Sequence, residues 1–383
     1  MPSLGKPLWY VLLAGLIVFL LGCPRESMQA VRDALSLWAF TVLPALFPFF
    51  VVAELLTGLG VVQTFGKLLE PLMRPIFHLP GAAGLVVALG FTSGFPVGAV
   101  MTRQLVERGL LTHQDGEHLV CFTNNASPLF IIGAVGTGLM HNPFYGYLLA
   151  AAHYLSNVLV GLWLGRLKTA ESAIVFSSIR PNPDSAPPFH IGKAIRDAIS
   201  RSITAILAVG GYILLFAVIT KMAGTFGFIG LCGWLAQAIG LDPIAGQGIG
   251  SGLFEMTLGA RGVAEAAIPA PVKLVLLSGV LAWSGLSIQS QVLGIMAGFQ
   301  VRWSRYAQSR LIQMGLSMLF TVVFCWFAPH PAPDFSRAVE TIEVLFLPAL
   351  VLIAVLAAVW AAANWLGTRS SLTILLGRSH RIR

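Results

Sequence analysis

Charge is what this 383-residue chain has little of: Asp, Glu, Lys and Arg make up 10% of it, against 56% hydrophobic residues and a mean hydropathy of +0.81. A soluble domain carries roughly a quarter charged residues, so the composition excludes a water-soluble enzyme and indicates a polytopic membrane protein. Cysteine is also scarce. Cys23, Cys121, Cys232 and Cys325 stand alone, with no pair at metal or redox spacing, which excludes a disulfide scaffold and a zinc site. No glycine-rich phosphate loop ending in Lys-Ser/Thr is present, so ATP hydrolysis by this chain is excluded as a driving force. A nucleophile with its base is lacking too. Ser93 and Ser251 have no histidine at a telling spacing, and His153 reads as a packing residue on another helix. No enzyme is expected. The net charge of +8 and pI near 9.6 do not point to nucleic acid, because the basic residues sit in loops between apolar spans.

What the chain does have is apolar runs, some of them broken. Residues 8–22 form a first span, read as a retained helix rather than a signal peptide because Pro24 and Arg25 follow without a small-residue cleavage site. A small loop with Arg25, Glu26, Arg32 and Asp33 precedes a long helix over 34–58 carrying Pro44, Pro48 and Glu54. Lys67, Glu70, Arg74 and His78 recur at helical spacing through 61–78, the pattern of an interfacial amphipathic helix. Spans follow at 143–165, 203–221, 311–328 and 344–366. Residues 166–202, with Pro181, Pro183, Pro187 and Pro188, form a linker whose end, 193–201, is amphipathic.

Between these lie two hairpin candidates and two interrupted helices. The run 81–108 is split at Thr92–Pro96, and 244–268 is studded with glycine around Ser251, Glu255 and Thr257. Arms of about 10 residues cannot cross a core that needs about 20, so each reads as a re-entrant hairpin. A helix leading into Thr123-Asn-Asn-Ala-Ser-Pro128 is the first interrupted helix, and 271–300, broken at Trp283–Gln291, is the second. Irregular backbone at membrane depth is tolerated only where it is buried or lines a cavity, and transporters place substrates at such breaks. The expected substrate-contacting residues are therefore Thr92, Ser93, Asn124, Asn125, Ser127, Ser251, Glu255, Thr257, Ser284, Ser287 and Gln289, with Arg103 as a cation for an anionic solute. Gln289 and Gln291 do not share a helical face, so one of them at most points at a solute. Each of these residues has a plainer role, as a bond to neighbouring backbone or, for Arg103, as a snorkelling charge. Glu255, an ionisable residue inside a span, is the place for a coupling Na+ or H+; no organic cofactor is expected.

The two halves repeat. Phe50–Gly58 resembles Phe216–Gly224, Ala83-Gly84 matches Ala245-Gly246, Gly98-Ala99 matches Gly259-Ala260, and Ser127 matches Ser287, the offset drifting only from 166 to 160. With both termini cytoplasmic, 18 of the 24 Lys and Arg residues fall on the inside, as the positive-inside rule requires. The expected fold is an all-α polytopic membrane protein of two inverted repeats, each with a re-entrant helical hairpin and an interrupted helix. Its segments are an N-terminal membrane helix and loop (1–33), a first repeat (34–166), a cytoplasmic linker (167–202), a second repeat (203–328), and a final membrane helix with a basic tail (329–383).

The stretches Leu46–Leu56, Leu69–Pro75, Ser93–Ala99, Phe122–Phe130 and Ala152–Asn157, covering roughly residues 40–330, resemble the family of the sporulation integral membrane protein YlbJ (SpoVV). That family carries a nucleoside-recognition (gate) domain and is distantly similar to concentrative nucleoside transporters. Trp283-Ser-Gly-Leu-Ser-Ile-Gln is similar to the interrupted helix of those transporters, with Gly285 where they have asparagine. The resemblance implies that both repeats are gate-domain repeats in a multi-pass bacterial cell membrane, including the membrane around the forespore. It implies secondary transport of a small anionic or nucleoside-like solute, namely dipicolinate moved into the forespore. A membrane-embedded sensor or assembly protein that binds a ligand without transporting it is the competing expectation. The expected partners are the solute and the lipid bilayer, with a homo-oligomer left open and nucleic acid excluded.

Overall fold

The computed structural model describes residues 5–58, 61–166, 191–299 and 301–327. The expected span at 344–366, the basic tail and the proline-rich part of the linker lie outside them. The described residues are nearly all helical. Polar side chains such as Asn124, Arg310 and Gln313 are fully buried, while Leu21, Phe40 and Phe327 are exposed at 79, 81 and 82%. A protein that hides its amides and shows its aliphatics is solvated by lipid.

The N-terminal helix α1 (Gly5–Gly22) turns by 101° into α2 (Pro24–Leu37). Residues 25–33 were expected as a loop and are helix. Pro24 at the first helical position and Glu26 in the first turn both favour a helix start. One π-helical turn, Trp38–Val42, joins α2 to α3 (Leu43–Gly58), so the expected helix 34–58 is interrupted at 38–42. The Trp38 indole donates to the Ile206 carbonyl at 3.1 Å and fixes this segment on the long helix α9 (Ile191–Thr225). Helix α4 (Val61–Phe77) is amphipathic as expected, and its Glu70 accepts from the Gly81 amide.

The first hairpin is α5 (Ala83–Ser93) and α6 (Val97–Glu107), broken at Gly94–Pro96. Helix α7 (His113–Thr123) starts with a Thr112/Asp115 capping box and stops before Asn124–Ser127. The chain resumes as a π-helix, Leu129–Leu139, and returns as α8 (Pro143–Arg166). The same order recurs after 191. The long helix α9 and short α10 (Phe228–Ala238) lead to the second hairpin, α11 (Pro243–Phe254) and α12 (Met256–Glu265). The second broken helix, α13 (Ala270–Trp283) and α14 (Gly285–Ile295), and then α15 (Trp303–Phe327) complete the described chain. Residues 191–202, read as the end of the linker, are the first turns of α9. The second interruption is narrower than expected: only Ser284 breaks the helix, and 286–291 are helical. Among the described residues, α8, α9, the α13–α14 pair and α15 are long and apolar enough to cross a membrane.

Two clusters form the core. One packs α3 to α8 against Ile206 and Val209 of α9. The other joins Val120, Ile131 and Leu149 of the first half to Met256, Ile288 and Cys325 of the second, so the halves share an interior.

Candidate functional site

Each hairpin tip packs on the break of its own half's interrupted helix. Gly94, at φ 85°, lies so close to Ser127 that a Cβ there would sit 2.8 Å from the Ser127 Cβ. Gly285, at φ 74°, lies equally close to the Phe254 carbonyl and the Met256 amide; a Cβ would be 2.9 and 3.1 Å away. Only glycine combines the positive φ with that approach. The arms of the second hairpin touch backbone to backbone at Gly248–Gly262 and Gly252–Gly259. In the first, Gly90 and Gly98 both press on the Thr123 carbonyl, so the hairpin straddles the end of α7.

A cleft of about 720 Å³ opens beside the second tip, between α2, α9, α10 and α12. Glu255 and Thr257 line it, and so do Asp33, Lys221 and Arg261. Glu255 also caps α12, its Oε2 accepting from the Leu258 amide at 2.7 Å. Such a volume lies within the range of small-molecule sites.

The other expected residues lie outside the wall of this cleft. Asn124 and Asn125 are wholly buried and engaged. The Asn124 Oδ1 accepts from the Ala99 amide at 3.2 Å and its Nδ2 donates to the Val120 carbonyl at 2.9 Å. Asn125 donates to the Phe122 carbonyl and accepts from Asn157. Ser127 caps the following helix, its Oγ accepting from the Phe130 amide at 3.2 Å. Thr92 folds back on the Ala88 carbonyl. Ser93 is buried at the first tip with no partner for its hydroxyl. Ser251 lies in α11, where its carbonyl accepts the Glu255 amide. Ser284 holds the left-handed turn of the second break, and Ser287, one turn into α14, faces Gln291. Gln289 is buried and donates to the Trp283 carbonyl. Arg103 pairs with Glu107 and donates to the Ile295 carbonyl at 2.6 Å, tying the first hairpin to the end of α14.

Three groups escaped the sequence reading. Asp33 was placed in a loop and lines the cleft. Glu117 is buried and accepts from Arg302 and Arg305, at 2.9 to 3.1 Å and 2.6 Å, joining α7 to the start of α15. Arg310, just ahead of the expected span at 311–328, is instead fully buried in α15. The sequence signal was the spacing of Tyr306, Arg310, Gln313, Ser317 and Thr321, one polar face on an otherwise apolar helix. Glu117→Ala removes the acceptor shared by two half-exposed arginines. Because the arginines can hydrate, the expected cost is about 1.5–3 kcal/mol, read as a lowered thermal midpoint in detergent.

The nucleoside-recognition (Gate) family matches residues 39–142. An outward-facing structure of a CNTnw variant superposes with a TM-score of 0.51, covering 82% of this chain and 83% of that one at 18% identity. The fold is thus that of the concentrative nucleoside transporters, and this is an integral membrane protein of transporter-like architecture. The sporulation integral membrane protein YlbJ of Bacillus subtilis (strain 168) is 36% identical over 340 residues, 82% of each chain. The chain belongs to the YlbJ family. A shorter match, 28% identical over 113 residues, is to an uncharacterized protein of Alkalihalophilus pseudofirmus.

Proposed function

We propose that the chain is a secondary transporter that carries a small anionic solute, dipicolinate, into the forespore across its surrounding membrane. The observation that supports this best is the pairing of each hairpin tip with a helix break, beside a cleft holding both acid and base. Lys221 and Arg261, the latter also paired with Glu265 at 2.7 Å, supply two cationic groups for a dicarboxylate, and Glu255 and Thr257 sit at the second hairpin tip. In this reading the two halves are inverted repeats that rock about the shared core, both termini are cytoplasmic, and Glu255 is where a coupling proton or Na+ would act. The transported dianion also suits the positive ends of half-helices.

Uptake of labelled dipicolinate by liposomes containing the purified chain is the test. Glu255→Gln keeps an oxygen to cap α12 and is expected to cut uptake about tenfold, equivalent to ~1.4 kcal/mol, with unchanged membrane abundance. Binding without uptake under every imposed gradient would favour a sensor, and neither binding nor uptake would reject the substrate. The Gate match favours a second reading, a nucleoside-like solute. Labelled nucleosides in the same liposomes decide between the two.

A further inference from the structure

Where α7 stops at Thr123, the four residues 124–127 leave the carbonyls of its last turn without helical donors. The end of a half-helix bears about half a negative charge, and unwound carbonyls of this kind are where transporters seat a coupling cation. In this chain the place is taken by Arg310, which reaches in from α15. Its Nη1 donates to the Asn124 carbonyl at 3.1 Å, and its Nη2 to the Cys121 carbonyl and to the Asn157 Oδ1 at 3.3 Å. The Tyr306 ring covers it, with 5.4 Å from Cζ to the ring centroid.

No carboxylate pairs with Arg310 among the described residues. Three acids of the helical core are committed elsewhere: Glu117 to Arg302 and Arg305, Glu54 to Gln104, and Glu255 to the start of α12. An unmatched buried guanidinium costs several kcal/mol. Carbonyl and amide oxygens, a helix end and a ring face are what offset that cost, and the same oxygens would serve a desolvated alkali cation. The guanidinium is moreover covalently tethered and cannot leave.

We propose that Arg310 is a built-in cation at the first break, a positioning residue that holds the end of α7 open and leaves that break with no exchangeable Na+. A coupling ion, if one is used, then acts at the second tip and not at Asn124. The proposal concerns a different break from the cleft and is tested without substrate, so it stands or falls apart from the assignment of dipicolinate.

The experiment follows thermal unfolding of the purified full chain in detergent. Glu255→Gln, which removes the acid of the second tip, should show the same midpoint in sodium, potassium and choline chloride at equal ionic strength. Arg310→Ala should unfold at a lower temperature and recover part of the loss in guanidinium chloride below denaturing concentration, with no recovery in choline chloride. Arg310→Lys, which keeps the charge without the fork, should fall between. A sodium-specific rise of the Glu255→Gln midpoint would overturn the proposal, as would recovery of Arg310→Ala to the same extent in choline. If Arg310→Ala yields no folded protein, the Glu255→Gln cation series decides on its own: a sodium effect rejects the built-in cation, and its absence sustains it.

Discussion

Gly259→Val is expected to lose most of the folded protein. A side chain at Gly259 would meet the Gly252 amide at 2.7 Å and the Gly248 carbonyl at 3.0 Å, and would overlap the Gly252 Cα. These are backbone atoms of the facing arm, so no rotamer change relieves the overlap and the arms of the hairpin must part. Overpacking in a tight core costs typically 1–3 kcal/mol and more where nothing yields. A loss of about 3 kcal/mol lowers the midpoint by roughly 6 °C or more at the 2–4 °C per kcal/mol of a mid-sized domain. Gly211→Ala is the matching control. Gly211 lies in α9 with nothing within 4 Å of an added Cβ, so alanine should leave the midpoint unchanged or raise it through up to ~1 kcal/mol of helix propensity. Equal midpoints for Gly259→Val and wild type would mean that α11 and α12 are not packed backbone to backbone.

Asn157→Leu should be at least as damaging, for the opposite reason. Its amide donates to Asn125 and accepts from Arg310, and all three side chains are fully buried. Leucine fills the space and satisfies neither neighbour. A stranded buried amide costs about 1–3 kcal/mol, and a charge that loses a partner in the interior costs about 3–5 kcal/mol. The Arg310 fork keeps its two carbonyls, so the expected total is about 3–5 kcal/mol. Asn157→Asp keeps an acceptor for Arg310 and adds a counter-charge, so it should unfold well above Asn157→Leu. In Arg310→Met/Asn157→Leu the losses should be less than additive, because the second change removes a group the first has already stranded. Full additivity, measured as midpoints of the four proteins, would show that the two side chains are not coupled.

The breaks were legible in the sequence because glycine, proline and small polar residues cannot hide in a lipid-facing helix. Gly94–Pro96 and Asn124–Ser127 fall where composition placed them, as do the two hairpins. The Arg25–Asp33 segment was misread as a loop, since its charges mark only a polar surface, which a helix at the interface also has. The second break was placed at 283–291, yet the chain leaves the helix only at Ser284, which with Gly285 takes a positive φ: small polar residues recur through the stretch, and spacing does not fix backbone dihedrals. Asn124 and Asn125 were chosen for burial in apolar surroundings. Burial was right, but the partners Ala99, Val120 and Asn157 come from other turns and other helices, and no local pattern names them.

The sequence alone therefore determined the solvent of this protein, its helical class, and the places where helices must fail, because each is a local property of composition against lipid. Only the tertiary structure decided which polar groups face one another. Arg310 reaches Asn124 across 186 positions of chain, and Glu255 comes to share a cleft with Asp33, Lys221 and Arg261. The number of distant residues that could meet a given buried donor is large, and packing selects among them.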